Sequence, residues 1–344
     1  MSVRDVLIVG AGPSGLATAI AAKQQGLDYA LVEKGVLVNS IFRFPAYMVF
    51  FTTPELLEIG GLPLVTPYDK PTRLESLRYY RRVVDTYDLQ ISFHEEVLNI
   101  EREGDLFVVT TRDSSPTDSS PDVGADFSRP GARRVRQARA VVLAIGYYDH
   151  PNYLGIPGED RPHVSHYYSE AHPFYRQRVV IVGGKNSAAE AALELFRAGA
   201  HVTIIHRHPE LGASIKYWVK PDIENRIKAG SIAARFSTCV REITPTAVIV
   251  ESSAGREEIP AEQVFLLTGY HPDVDLMRRA GIRVDDETLA PEMNSETFES
   301  SVPNLFIAGG AIAGKKTGNI FIENGRFHGE TIINVLADRL RGTE

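Results

Sequence analysis

The chain has 344 residues, of which 43% are hydrophobic and 24% charged, and it carries a formal net charge of −7 at pH 7. The length predicts two domains, and the acidic balance argues against nucleic acid as the main partner, because phosphate binding needs a concentrated basic surface. No apolar run approaches the ~20 residues that a membrane helix needs, and the N-terminus has no leader pattern, so we expect a cytoplasmic protein without a membrane span. The single cysteine, Cys239, excludes an internal disulfide and a Cys-x-x-C dithiol, and no metal site is expected.

The first glycine-rich turn lies between an apolar strand at 6–9 and a helix, and it reads GAGPSG over residues 10–15. The next strand, at 29–32, ends on Glu33. In such a fingerprint the first glycine permits a tight turn, the second lets backbone N–H groups approach a pyrophosphate, and the third allows close helix packing. Glu33 can accept hydrogen bonds from the two hydroxyls of an adenosine ribose, so this half of the chain predicts a dinucleotide site.

An aromatic stretch, a helix and a small meander are predicted next. Residues 41–54 are rich in Phe, Tyr and Pro, which is typical of core packing and of the apolar wall that a flavin needs. A capping box from Thr72 to Glu75 opens a helix that runs to about Tyr87. Alternating residues then predict two strands, at 91–100 and 106–111.

The meander is followed by a segment at 113–126 that is rich in Ser, Pro and Asp, which predicts a long loop. The arginines that follow it are expected to be solvated in a loop. They are Arg129, Arg133, Arg134, Arg136 and Arg139. A buried strand then ends on Gly146-Tyr147.

The second glycine-rich turn follows a strand at 179–182 and reads GGKNSA over residues 183–188. Lys185 stands where the middle glycine would be, and a lysine is electrostatically compatible with a pyrophosphate. The strand at 201–205 ends on His206-Arg207-His208. Because a guanidinium can bind a 2′-phosphate bidentately and an acid would repel it, this half predicts NADPH rather than NADH.

The order of fingerprint, meander and Gly-Tyr strand occurs twice, the second time with a meander at 239–259 and a strand at 263–270. This repeat predicts an α/β fold of two Rossmann-like nucleotide-binding domains of the three-layer ββα type, with the second inserted into the first. We expect residues 1–155 and 293–344 to form the first domain and residues 156–292 to form the NADPH-binding domain.

The last segment is expected to return to the first domain with a buried strand at 303–310 and a final helix from about Asn319 to Leu340. The positive N-terminal end of that helix, near 318–321, is suited to stabilise negative charge on a reduced flavin.

These residues resemble the thioredoxin-reductase-like flavoproteins, and the resemblance covers nearly the whole chain and implies that the first domain binds FAD. More narrowly, the stretches 41–45, 50–53, 214–218 and 320–329 resemble the bacillithiol-disulfide reductases. Members of that family also lack the Cys-x-x-C pair and tolerate a residue other than glycine at the position of Lys185.

The fingerprints and the resemblance together imply two sets of site residues. For FAD they are Gly10, Gly12, Pro13, Ser14, Gly15, Glu33, Lys34, Ser40, Val97, Ala144, Gly146, Gly309, Gly310, Ile320 and Phe321. For NADPH they are Gly183, Lys185, Asn186, Ser187, Ala188, His206, Arg207, His208 and Gly269.

Two positions depart from the related families. Ser14 replaces a cysteine that many bacillithiol-disulfide reductases carry, and Gly310 replaces an aspartate that is usual in thioredoxin-reductase-like proteins. A serine hydroxyl cannot form a mixed disulfide. A mechanism in which a thiol at position 14 attacks the substrate therefore cannot operate in this chain.

The predicted activity is the transfer of electrons from NADPH through FAD to a low-molecular-weight disulfide of the bacillithiol disulfide type, without a protein dithiol. Lys216 and Trp218 are the substrate candidates, since they offer a cation and an aromatic face to an anionic thiol compound, although packing explains Trp218 equally well. His328 is interpreted as a packed side chain, and Cys239 as a buried structural thiol.

Three other functions remain open from the sequence. The first is a reductase of ferredoxin or flavodoxin, whose partner is a small electron-carrier protein rather than a small-molecule disulfide. The others are a flavin monooxygenase and a nucleotide-sensing protein without turnover. A homo-oligomer is compatible with each of these functions.

Overall fold

The structure is a computed structural model that describes residues 2–115 and 131–341. The chain divides into two compact units. The first comprises Met1–Arg43, Met48–His150 and Tyr270–Glu344, and the second comprises Phe44–Tyr47 and Pro151–Gly269.

The described residues form strands and helices in nearly the predicted order. The strands are β1 (Val3–Val9), β2 (Tyr29–Val32), β3 (Ile91–Ser92), β4 (Glu95–Glu103), β5 (Leu106–Asp113), β6 (Arg133–Leu143), β7 (Val164–Ser165), β8 (Arg178–Val182), β9 (His201–Ile205), β10 (Ala233–Arg235), β11 (Cys239–Ile243), β12 (Ala247–Ser252), β13 (Gly255–Pro260), β14 (Gln263–Leu266) and β15 (Leu305–Ile307). The helices are α1 (Pro13–Gln24), α2 (Asn39–Phe42), α3 (Arg73–Tyr87), α4 (Asn186–Arg197), α5 (Lys220–Lys228), α6 (Val274–Arg279), α7 (Ile322–Gly325) and α8 (His328–Arg341).

The sheet of the first unit combines a parallel part with an antiparallel meander. Its order is β3-β2-β1-β6-β5-β4, and β15 pairs in parallel with the C-terminal half of β6. In this register Val9, Leu143 and Ile307 are neighbours. The carboxyl ends of β1, β6 and β15 therefore meet at one edge, which is where open α/β sheets bind their ligands.

The second unit repeats the arrangement with a parallel sheet in the order β10-β9-β8-β14-β7 and a separate antiparallel sheet of β11, β12 and β13. Val182 lies opposite Ile205 and Leu266, so the ends of β8, β9 and β14 also share one edge. Two Rossmann-like folds with meanders in both units confirm the predicted fold class.

Helix α6 packs in the core of the first unit. Leu276 and Met277 belong to the same buried cluster as Leu7 and Val9 of β1. Residues 270–292, which the sequence assigned to the NADPH-binding domain, thus pack with the first unit, and the second boundary differs from the predicted one. This packing depends on the apolar side chains of α6. A helix of only six residues gives a sequence pattern too short to be assigned to one domain or the other.

The capping box of α3 forms as predicted. The Oγ1 atom of Thr72 accepts from the N–H of Glu75 at 3.2 Å, and Oε2 of Glu75 accepts from the N–H of Thr72 at 2.8 Å. The predicted final helix is interrupted, because residues 326–327 separate α7 from α8. The guanidinium of Arg326 donates to the backbone oxygens of Glu55 and Glu58 and so anchors this break.

The arginines after residue 130 lie in a strand, so the predicted loop is wrong for them, although Arg133 and Arg139 are exposed as expected. Residues 133–138 pair with β5 throughout. Arg136 forms a bidentate ion pair with the fully buried carboxylate of Glu95, with both N–O distances at 2.6 Å. Arg129 and most of the predicted loop at 113–126 lie outside the described residues.

Cys239 is exposed, which contradicts the predicted buried thiol. It is the first residue of β11, where successive side chains point to opposite faces, and its neighbour Val240 takes the buried face. Among the described residues, no helix combines the length and the apolar character that crossing a bilayer requires.

Candidate functional site

The first glycine turn begins where β1 ends. The N–H of Gly10 donates to the oxygen of Val32 at 2.8 Å, and the N–H of Ala144 donates to Val9 at 2.8 Å, so three strand ends are linked. Gly10 has a φ of +103°, and a Cβ atom there would stand 2.5 Å from the oxygen of Ala144. Only glycine fits such a turn, which packs directly against the residues that follow β6.

Helix α1 starts at this turn with Pro13 at its first position and Gly12 as its N-cap. Within the described ranges no side chain caps the helix, and a Cβ atom on Gly12 would meet open space. Gly15 packs against the backbone oxygen of Gly10, which brings the helix close to β1. The N–H groups of the first helical turn are therefore directed at an open position suited to an anion.

Glu33 is held rigidly beside the turn. Only 6% of it is exposed, and its carboxylate oxygens accept from the N–H of Ala11 at 2.7 Å and from the N–H of Gly35 at 2.8 Å. Burial raises the pKa of Glu33, while the two backbone hydrogen bonds lower it in part. The carboxylate therefore has one fixed orientation, as a ribose acceptor requires.

Lys34 is joined to a residue that the sequence analysis did not single out. The carboxylate of Asp149 binds Lys34 Nζ at 3.0 Å and a guanidinium nitrogen of Arg43 at 2.9 Å. Asp149 follows the end of the predicted strand that finishes in Gly-Tyr, and this position is the only feature of the sequence that could have identified Asp149 as a site residue. Ser40 lies in α2, whose preceding residue Val38 donates its N–H to Ala11 at 3.1 Å.

The turn after β15 contacts the start of α1. A Cβ atom on Gly309 would run into Oγ of Ser14, and one on Gly325 would stand 3.2 Å from the same oxygen. Nδ1 of His328 accepts from the N–H of Gly309 at 3.1 Å, and its ring stacks on Phe298 with centroids 4.1 Å apart. Burial lowers the pKa of His328 to about 4, so the imidazole is neutral and packed, as interpreted from sequence.

The remaining predicted FAD residues lie around this edge. Ala144 and Gly146 follow β6, with Ala144 buried against Gly15. Val97 belongs to the core cluster that contains Val9. Ile320 and Phe321 precede α7, and the Phe321 ring meets Phe51 edge to face at 5.2 Å.

The second glycine turn has the same construction. The N–H of Gly183 donates to Ile205 at 3.0 Å, and Lys185 is the extended N-cap of α4. Asn186 ties the turn to the loop that follows β9, since its side chain donates to Ser214 at 3.1 Å and accepts from the N–H of Lys216 at 2.9 Å. Ser187 is exposed and Ala188 is buried at the start of α4.

A cationic group follows β9. The rings of His206 and His208 lie 5.1 Å apart, and Nε of Arg207 donates to His208 at 3.3 Å. Burial and the neighbouring charges of His208, Arg207 and Lys185 lower the pKa of His206. Gly269 lies beyond β14 and accepts from the N–H of Asn152 at 2.9 Å.

The two substrate candidates contact each other in the second unit. Nζ of Lys216 lies 5.7 Å from the ring centroid of Trp218 and forms an ion pair of 2.6 Å with Glu190. Trp218 is 44% exposed and meets Tyr217 edge to face at 4.8 Å. Because Glu190 already balances the charge of Lys216, this pair is a weaker anion site than the sequence predicted.

The sequence matches the family model described as pyridine nucleotide-disulphide oxidoreductase over residues 7–118 and 131–309. It is 41% identical to bacilliredoxin reductase Bdr of Bacillus subtilis (strain 168), over 98% of this chain and 99% of that protein. The structure is similar to those of the bacillithiol disulfide reductases Bdr from Bacillus cereus and Staphylococcus aureus, with TM-scores of 0.92 and 0.89 and identities of 38% and 37%. These alignments cover 98% of this chain and 100% and 99% of the two relatives.

The family match agrees with two glycine turns at the carboxyl ends of two parallel sheets, and it implies the use of a flavin and a pyridine nucleotide. The chain belongs to the pyridine nucleotide-disulphide oxidoreductase family and is a flavoprotein oxidoreductase.

Proposed function

We propose that this protein is an NADPH-dependent disulfide reductase that uses FAD and acts on a low-molecular-weight disulfide of the bacillithiol disulfide type. The observation that carries the proposal is the similarity along the full chain to two bacillithiol disulfide reductases, at 37% and 38% identity, and to bacilliredoxin reductase Bdr, at 41%. No comparable feature of the described residues favours a ferredoxin or flavodoxin partner, a monooxygenase or a sensor.

The first unit fits FAD. Glu33 offers a fixed carboxylate for the adenosine ribose, and the uncapped start of α1 offers N–H groups for the pyrophosphate. A Cβ atom on Gly12 would meet open space, so the turn before α1 leaves room for a ligand, while Gly10, Gly309 and Gly325 let the neighbouring turns pack closely against Ala144 and Ser14. When bound there, FAD supplies the carrier for a two-electron transfer.

The second unit fits NADPH better than NADH. Arg207, with His206 and His208 beside it, follows β9 at the position that meets the adenosine ribose, and Lys185 adds a further positive charge at the turn. A guanidinium there binds a 2′-phosphate, which NADH does not have. The preference for the phosphorylated coenzyme thus rests on this loop.

The substrate disulfide takes its electrons without a protein dithiol, because the chain has one cysteine. Its S–S bond breaks, each sulfur leaves as a thiol, and NADPH and one proton are consumed for every two thiols formed. Ser14 packs between Gly309 and Gly325, where its hydroxyl serves as a small structural group. We place this reaction in the cytoplasm, where low-molecular-weight thiols are kept reduced.

The test is anaerobic reduction of the purified yellow protein with NADPH, followed by separate additions of bacillithiol disulfide, cystine, ferredoxin and flavodoxin. We expect the flavin to bleach with NADPH and to regain its colour with bacillithiol disulfide at a rate that matches turnover. Recovery with the electron carriers alone would replace the proposal with an electron-transfer reductase. Oxygen-dependent hydroxylation of an added substrate would indicate a monooxygenase instead, and no recovery with any acceptor would indicate a sensor.

A further inference from the structure

Tyr147 and Gly310 are in direct contact. Tyr147 stands four residues beyond the end of β6, and Gly310 stands three residues beyond the end of β15. A Cβ atom on residue 310 would lie 2.7 Å from both Cδ1 and Cε1 of Tyr147. Real Cβ atoms do not approach a ring so closely, so the tyrosine ring occupies the space that any other residue at position 310 would need.

This contact lies at the same edge of the sheet as the residues of the proposed FAD site. At the carboxyl edge of the sheet the strand order is β2, β1, β6 and β15. Glu33 follows β2 and Gly12 lies in the turn after β1. A dinucleotide whose adenosine ribose meets Glu33 and whose pyrophosphate meets the start of α1 therefore extends its second half toward β6 and β15, where Tyr147 and Gly310 stand.

The tyrosine is half-buried and remains a neutral phenol. Burial raises its pKa, and the negative charge of Glu323 and the neighbouring Tyr148 raise it further. A neutral phenol offers both a hydrogen-bond donor and an aromatic face, which are useful beside a ring system with polar edges.

We propose that Tyr147 binds the flavin-bearing half of FAD, and that Gly310 provides the space in which the tyrosine ring is held. This inference rests on the proposed function, since it assumes FAD in the first unit. Gly310 is then needed for FAD binding because it has no side chain that would displace the Tyr147 ring, and not because it contacts FAD itself.

A double-mutant cycle on FAD affinity tests the pair. Apoprotein of the wild type and of Tyr147→Ala, Tyr147→Phe, Gly310→Ala and the double variant Tyr147→Ala/Gly310→Ala is titrated with FAD, and flavin fluorescence gives Kd. We expect Tyr147→Ala and Gly310→Ala each to raise Kd about tenfold, which corresponds to ~1.4 kcal/mol. Since the double variant has no ring to displace, its Kd should equal that of Tyr147→Ala. Tyr147→Phe keeps the ring and should remain within about threefold of the wild type.

A hundredfold loss in the double variant, or a wild-type Kd in Tyr147→Ala, would overturn the inference. Tyr68→Ala is the matched control, because Tyr68 is 63% exposed and lies in another part of the first unit. If the Gly310→Ala apoprotein does not fold, as judged by circular dichroism, the two Tyr147 variants decide the question alone.

The outcome is separable from that of the proposed function. If FAD affinity depends on Tyr147 but no disulfide is reduced, the inference stands and the proposed acceptor falls. If the wild type reduces bacillithiol disulfide while Tyr147→Ala binds FAD as the wild type does, the proposed function stands and this inference falls.

Discussion

Nδ1 of His328 accepts a hydrogen bond from the backbone N–H of Gly309 at 3.1 Å, and this bond joins the first residue of α8 to the turn after β15. The same turn packs on Ser14 at the start of α1. His328 acts through Gly309 and is therefore a positioning residue for the proposed FAD site.

Replacement of His328 by alanine should weaken FAD binding and lower stability. The substitution leaves the buried N–H of Gly309 without its acceptor, which costs about 1–3 kcal/mol. His328→Asn is the conservative variant, because its side-chain oxygen can accept the same bond and should restore part of the loss. The measurement is FAD affinity of the apoprotein, together with urea unfolding. Equal stability of the alanine variant and the wild type would contradict this role.

The same histidine should make stability depend on pH. Its folded pKa is lowered to about 4 by burial, from an ordinary value of 6.5. Between these two pH values the unfolded chain therefore binds one more proton than the folded chain. The stability that the neutral His328 contributes is complete above about pH 6.5 and is lost as the pH falls toward 4. The loss is on the order of 3 kcal/mol. Unfolding at several pH values should show a steeper decline for the wild type than for His328→Gln, and parallel curves would refute the assignment.

The buried ion pair between Glu95 and Arg136 should contribute more to the free energy of unfolding than the exposed ion pair beside it. Glu95 also accepts from Oγ1 of Thr111 at 2.8 Å. Glu95→Ala leaves Arg136 without its buried partner and should cost about 3–5 kcal/mol of unfolding free energy. The control is Glu96→Ala, which breaks the exposed pair with Arg112 and should cost less than about 1 kcal/mol. Similar losses in the two variants would show that burial does not set the difference.

Both glycine turns, with the strands and helices that flank them, could be predicted because each fingerprint is local, with strand, turn and helix in direct succession. The contact between Arg136 and Glu95 joins residues 41 positions apart, and no pattern along one sequence indicates it. The orientation of Cys239 depended on which face of β11 is covered, which only the sheet decides. The contact between Tyr147 and Gly310 likewise depends on the pairing of β15 with β6.

Arg207→Ala should remove the preference for NADPH. We expect KM for NADPH to rise by about 10–100-fold, because a charge-assisted contact to the 2′-phosphate contributes about 1.5–3 kcal/mol. KM for NADH should stay nearly constant, since NADH has no phosphate at that position. Arg241→Ala is the control, because Arg241 is an exposed arginine of β11 that pairs with Glu251 of β12. The prediction fails if both coenzymes lose affinity equally, which would indicate a structural role for Arg207.

Cys239→Ser should leave disulfide reduction within about twofold of the wild type, although the variant contains no thiol at all. The physical reason is that Cys239 is exposed at the start of β11 in the second unit and has no second cysteine with which to exchange electrons. Steady-state turnover with NADPH and bacillithiol disulfide, with and without iodoacetamide, measures this directly. If flavin reduction by NADPH persists while disulfide reduction is lost in the variant, the single cysteine takes part in the reaction. Sensitivity of the wild type alone to iodoacetamide would lead to the same conclusion, because only the wild type has a thiol to alkylate.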